Sequence, residues 1–211
     1  MKNKLLVGLL AIFFLADLIL ITRDDAQSLR FLTKPFLVPV IAAIYLSETR
    51  TKGDLNRLFL GGLIFSFLGD IFLLFKWGFL PGLGSFLLAH IFYILSLTRL
   101  RLTNIYGSLP FLLLYLVFLI YFLHPYLHEM EIPVILYGIT LSTMAYFSLR
   151  TKNVWLISGA FLFVVSDSLL SFNLFVLSTV TMEQIVMATY VAAQYCLVRG
   201  MISQKHLSAQ R

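Results

Sequence analysis

The sequence predicts an all-α membrane protein: a polytopic bundle of eight transmembrane helices, forming one transmembrane domain over residues 1–211. Three observations predict it. Hydrophobic residues make up 60% of the chain and charged residues 12%, with a mean hydropathy of +0.92, against roughly 45–50% apolar and about 25% charged in soluble domains. The apolar residues fall into separate runs, most of them near the ~20 residues that a helix needs to cross a bilayer. Lys and Arg gather in alternate connections between those runs.

The first span, about 4–22, starts like a signal peptide with "MKNKLLVGLLAIFFLA". Its apolar run continues through Asp17 to Ile21 and no A-x-A cleavage site precedes "RDD", so an uncleaved helix is expected. The second span, about 32–47, is short, and Pro35 and Pro39 leave two gaps in its hydrogen bonding. The remaining spans are expected at about 58–75, 79–98, 105–123, 132–149, 154–173 and 180–200. None alternates polar with apolar residues as the strands of a membrane barrel do.

With eight spans, one face of the membrane holds both termini and the connections near 48–57, 99–104 and 150–153. That face carries Lys2, Lys4, Arg50, Lys52, Arg57, Arg99, Arg101, Arg150, Lys152, Arg199, Lys205 and Arg211, twelve of the sixteen basic residues. Arg23, Arg30, Lys34 and Lys76 fall on the other. The positive-inside rule then places both termini in the cytoplasm; a bacterial inner membrane is the expected location, although the rule does not identify the host membrane. The net charge of +6 is read as orienting the protein and meeting anionic lipid, with no nucleic-acid partner. Cys196 is the single cysteine and sits in an apolar segment, which excludes a disulfide framework and a cysteine-based metal site.

Asp70 in "FSFLGDIFLLF" and Asp167 in "FLFVVSDSLLSF" stand in otherwise apolar runs. At ~1.5 Å per residue they lie roughly 18 and 20 Å along their spans, at matched depth just beyond the midplane. An ionisable group there costs at least about 2.5–3.5 kcal/mol, so a cavity-facing or functional carboxylate is expected, against a protonated, hydrogen-bonded structural one. A shift of 97 residues lays Gly62 on Gly159, Asp70 on Asp167, Leu73 on Leu170, Phe75 on Phe172 and Tyr93 on Tyr190. Such a weak match points to a 4+4 parallel repeat with its axis along the membrane normal.

Other polar residues lie in the spans. Glu183, Met187, Tyr190 and Gln194 share one helix face, as do His90 and Tyr93. Taken singly, each Tyr reads as a packing aromatic and His90 as a hydrogen-bonded core residue. Asp17, near the end of its span, is compatible with an interfacial position. Lys34 either snorkels to the headgroups or binds a phosphate. No H-E-x-x-H, P-loop or G-x-S-x-G motif is present. His124, His128 and His206 fall in connections or the tail, which argues against a histidine-rich metal site, although a carboxylate site for a divalent ion stays open.

The ordered set "KPFLVP" (34–39), "FSFLGDIFLLF" (65–75), "FLLAHIFYI" (86–94), "GAFLFVVSDSLLSFN" (159–173) and "MATYVAAQ" (187–194) resembles the YhhN/lysoplasmalogenase family of eight-helix membrane proteins. The resemblance spans the second to the eighth helix. It implies hydrolysis of the vinyl ether bond of lysoplasmalogens, with a lysophospholipid as substrate and a fatty aldehyde and glycerophospho-ethanolamine or -choline as products. It carries over Lys34, Asp70, His90, Tyr93, Asp167, Asn173, Tyr190 and Gln194 as motif positions without assigning their roles.

The chemistry suits two carboxylates. Protonation of the vinyl ether β-carbon generates an oxocarbenium ion, water adds, and the hemiacetal collapses. In a low dielectric two carboxylates resist ionising together, so one carries the proton and the other the counter-charge, as in glycosidases. Asp70 and Asp167 are thus the expected catalytic pair, with Lys34, His90, Tyr93, Asn173, Tyr190 and Gln194 around the substrate. Tyr93, Tyr190 or Gln194 would orient the water, and no metal or cofactor is called for. Which aspartate is the acid is left open by the sequence, as is the oligomeric state. The competing reading is a transporter or lipid-binding protein using the Asp pair as a proton relay.

Overall fold

A computed structural model describes residues 2–50, 55–104 and 109–209. The helices are α1 (Lys2–Ile21), α2 (Lys34–Thr49), α3 (Arg57–Phe72), α4 (Phe79–Leu97), α5 (Leu109–Leu127), α6 (Glu131–Arg150), α7 (Val154–Phe175) and α8 (Val180–Ala209). No strand occurs among the described residues. Lys52 and Arg211, counted in the charge segregation, and residues 105–108, the expected start of the fifth span, lie outside them. Among the described residues six stretches are long and apolar enough to cross a membrane: Asn3–Ile21, Ser28–Thr49, Phe79–Leu97, Leu112–Arg150, Val154–Phe175 and Val180–Gln204. The chain is an integral membrane protein.

Local chemistry sets the helix bounds. Pro35 sits in the first turn of α2, where its missing N–H has no helical partner to lose, so only Pro39 interrupts the ladder. Asn56 starts α3 by accepting from the backbone N–H groups of Leu58 and Phe59. Asn153 does the same for α7 with Trp155 and Leu156. These two caps stand 97 residues apart, the offset that superposes Asp70 on Asp167. The third helix stops at Phe72, short of the expected residue 75, because the chain turns tightly back. A Cβ on Gly78 would lie 1.7 Å from the Phe72 carbonyl oxygen.

The connection between the fifth and sixth spans is a helical bend. Leu112–Arg150 is one apolar stretch of 39 residues, about 58 Å at ~1.5 Å per residue and far longer than one crossing. A 3-10 turn at His128–Met130, with His128 at φ 44°, folds it into an α5–α6 hairpin. His124 therefore belongs to the last turn of α5 and meets Glu131 at 3.0 Å, a correction to its expected place in a loop.

Polar contacts sort the connections to two ends. At one end Asn3 Nδ2 and Arg199 both donate to Glu48, Asn56 donates to Ser96, Arg150 to the Thr103 carbonyl, and Asn153 to Ser203. This is the basic end. At the other, Gln184 donates to the Leu18 carbonyl and Asn173 accepts from the backbone N–H of Thr179. The most extensive pairings are α3 on α4 and α7 on α8. Gly62 permits the first: a Cβ there would lie 2.3 Å from the Tyr93 ring. Small residues at helix contacts are how lipid-embedded helices approach one another. Outward faces carry Leu5, Ile12, Leu114, Phe118 and Ile132, as lipid contact requires.

Candidate active site

Asp70 enters the interior from the last turns of α3, only 2% exposed. Its Oδ2 accepts a hydrogen bond of 2.8 Å from the Tyr190 hydroxyl of α8. One turn along α8, Gln194 donates to the Tyr190 hydroxyl oxygen at 3.4 Å and accepts from the Tyr93 hydroxyl of α4 at 2.8 Å. Tyr93 then meets Ser66 of α3 at 3.2 Å, one turn before Asp70. The network runs from α3 through α8 and α4 and back to α3. Four residues that the sequence singled out, Asp70, Tyr93, Tyr190 and Gln194, are brought together here.

Lys34 opens α2 close by, 8% exposed, and the charges of Lys34 and Asp70 act on each other. Among the described residues its ammonium has no ion-pair partner. The neighbouring cation is already committed: Arg30 pairs with Asp17 at 3.3 Å and bonds Glu183. Asp17, fully buried, also accepts from the Thr33 hydroxyl at 2.8 Å. This corrects the interfacial reading of Asp17, whose partners come from the 3-10 segment Asp24–Leu32 and the residue after it.

Asp167, on α7, is 9% exposed and accepts from the Tyr137 hydroxyl of α6. It lines a crevice with about 410 Å³ of empty space, counting the part open to the surroundings. The other walls are mostly apolar, among them Leu73, Phe79 and Leu83, Val134, and Leu170 and Phe175. Asp70 does not line it. The two carboxylates interact electrostatically, yet aromatic rings stand between their surroundings. Phe86, on the crevice wall, meets Tyr190 edge-on at 5.9 Å. Phe163 lies 5.6 Å from Tyr190 and 5.0 Å from His90, which lies 5.4 Å from Tyr137.

His90 is fully buried, and its Nδ1 sits 2.7 Å from the Phe86 carbonyl oxygen. A carbonyl only accepts, so Nδ1 carries the proton and Nε2 is an acceptor. That Nε2 is buried with no hydrogen-bond partner among the described residues. Asn173 stands apart, at the end of α7, with its side-chain oxygen holding the turn into α8. Among the described residues no group of three or more His, Cys, Asp or Glu side chains gathers as a metal site would.

Two features escaped the sequence reading. Tyr137 is the only hydroxyl bonded to the Asp167 carboxylate among the described residues, but a tyrosine 30 positions away on another span carries no local sign of that role. The Asp17–Arg30–Glu183 cluster escaped because Arg30 reads as a loop cation until the 3-10 segment turns it inward.

The chain's similarities agree with this architecture. A family model described as the YhhN family matches residues 29–201. Lysoplasmalogenase TMEM86B of Mus musculus is 33% identical over 160 residues, covering 74% of this chain and 68% of that protein. The Homo sapiens protein of the same name is 30% identical over 164 residues, covering 74% and 69%. No solved structure matches the chain. The matched segment takes in α2 to α7 and most of α8, with Asp70, Asp167 and the tyrosines that bond them, and on that evidence the chain belongs to the YhhN family.

Proposed function

We propose that this protein is an ether hydrolase that cleaves the vinyl ether bond of lysoplasmalogens, giving a fatty aldehyde and a glycerophospho-ethanolamine or -choline. The observation that carries the reading is Asp167, a carboxyl group facing a mostly apolar crevice, within electrostatic reach of a second buried carboxylate. The names of the relatives supply the bond to be broken.

The different surroundings of the two aspartates divide the labour. Among the described residues Asp167 has one hydroxyl donor, no nearby cation and mostly apolar walls, which suits a neutral carboxylic acid. Asp70 has Tyr190 as donor and Lys34 in charge range, which suits a carboxylate that stays charged. With the alkenyl chain in the crevice, the Asp167 proton passes to the β-carbon and the double-bond electrons form the new C–H bond. The adjacent carbon becomes an oxocarbenium centre, stabilised by the Asp70 charge. Water adds there and returns a proton to Asp167. The Asp167 proton then passes to the glycerol oxygen as its C–O bond breaks, the hemiacetal hydroxyl gives its proton back to Asp167, and the aldehyde leaves. Lys34 holds the lysolipid phosphate, Tyr190, Gln194 and Tyr93 keep Asp70 oriented, and His90 and Asn173 shape the surroundings.

The same reading includes a single transmembrane domain of eight spans with both termini on the cytoplasmic side of a bacterial inner membrane. The paired caps at Asn56 and Asn153 and the pairing of α3 with α4 and α7 with α8 support a 4+4 parallel repeat. The test is purified protein given 1-alkenyl, 1-alkyl and 1-acyl lysolipids of one chain length and headgroup. Aldehyde release from the alkenyl lipid alone is expected, because a saturated ether offers no carbon to protonate and an ester needs a nucleophile. Equal cleavage of the acyl lipid would make the protein a general lysophospholipase. No cleavage, with lipid or proton movement in vesicles, would favour a transporter.

A further inference from the structure

A second feature lies at the basic end, on the seam between α1 and α8, away from the carboxylates. Two cavities there share Val7 and Tyr195 and so form one continuous groove. The first, with about 530 Å³ of empty space, is lined by Lys4, Arg199, Glu48 and Asn3. The second, with about 680 Å³, runs along the seam and is almost wholly apolar, its floor lowered by Ala11, Ala188 and Ala192. From Arg199 to Ala188 the groove follows about 16 Å of helix at ~1.5 Å per residue.

The polar mouth has donors to spare. Glu48 is its one carboxylate, and Asn3 Nδ2 at 2.8 Å and Arg199 at 3.3 Å both donate to the same oxygen. The Arg199 side chain is still 41% exposed. Lys4 is exposed and has no ion pair among the described residues, and the Tyr195 hydroxyl has no protein partner there. Among the described residues the mouth thus carries two cations against one anion.

We propose that this groove binds an anionic phospholipid, its phosphate held between Lys4, Arg199 and the Tyr195 hydroxyl and one acyl chain laid along the α1–α8 seam. The mouth's surplus of one positive charge matches a headgroup with a single net negative charge. A zwitterionic headgroup would bring its own cation against Lys4 and Arg199. Basic clefts between transmembrane helices are known places for acidic headgroups. The site is separate from the carboxylate pair and stands whether or not the protein is a hydrolase.

Native mass spectrometry of the full chain, titrated with phosphatidylglycerol or with phosphatidylcholine of the same chains, tests it. The expected result is about 5-fold tighter binding of phosphatidylglycerol, the worth of the mouth's one surplus basic group at an acidic headgroup. Lys4→Gln with Tyr195→Phe removes most of that preference without breaking any protein hydrogen bond, and adding Arg199→Gln removes the rest. Arg57→Gln with Arg101→Gln, which neutralises cations elsewhere at the same end, keeps it. Glycerol phosphate, a headgroup without chains, does not compete. Equal affinity for the two lipids, or full preference in the Lys4/Tyr195/Arg199 variant, overturns the headgroup site. Effective competition by glycerol phosphate overturns the chain groove.

Discussion

At Asp70 a tyrosine hydroxyl donates and a lysine lies in charge range, whereas at Asp167 a tyrosine hydroxyl donates beside a mostly apolar crevice. An isosteric amide keeps the shape of either site but supplies neither a transferable proton nor a counter-charge. Asp70→Asn and Asp167→Asn are therefore each expected to lower kcat by at least ~100-fold, the lower range for a positioned acid or base. Both proteins should remain folded and membrane-inserted. Near-normal turnover in either would return that aspartate to a structural role. Lys34→Gln is expected to raise KM more than it lowers kcat, since a phosphate contact is shared by ground and transition states. An unchanged KM would remove Lys34 from the site. These positions were legible because an ionisable group in an apolar run announces itself. Tyr137 was not, since tyrosines are ordinary in membrane helices and only the packing of α6 on α7 gives it Asp167 as a partner.

Among the helices, α1 and α8 are joined through a charge cluster that no single element shows. Asp17 and Arg30 are fully and almost fully buried, and Glu183 completes the cluster from α8. Arg30→Met leaves Asp17 as an uncompensated buried charge, and thermal unfolding should report a loss of about 3–5 kcal/mol. Adding Asp17→Asn to that variant should restore part of the loss, because the stranded charge is gone. A single variant as stable as the parent would show that the pair contributes nothing. Helix bounds were mostly legible to within a few residues, since apolar runs and Asn caps are local signals. The early end of α3 and the α5–α6 bend were not, because each depends on a backbone turn inside apolar sequence.

For the whole molecule, composition settled the membrane class and the paired aspartates pointed to the place proposed for the chemistry. How the bundle divides that place into a charged side at Lys34 and Asp70 and an apolar side at Asp167 appears only once α4 and α7 set Phe86, His90 and Phe163 between them. The central claim is that the carboxyl group in the crevice protonates carbon. Hydrolysis of a 1-alkenyl lysolipid in heavy water, with the aldehyde trapped as it forms and weighed by mass spectrometry, tests it most directly. The account predicts an aldehyde one mass unit heavier, with a single deuterium on the carbon next to the carbonyl, formed more slowly than in light water. Aldehyde released without deuterium at that carbon, or no aldehyde at all, would contradict it.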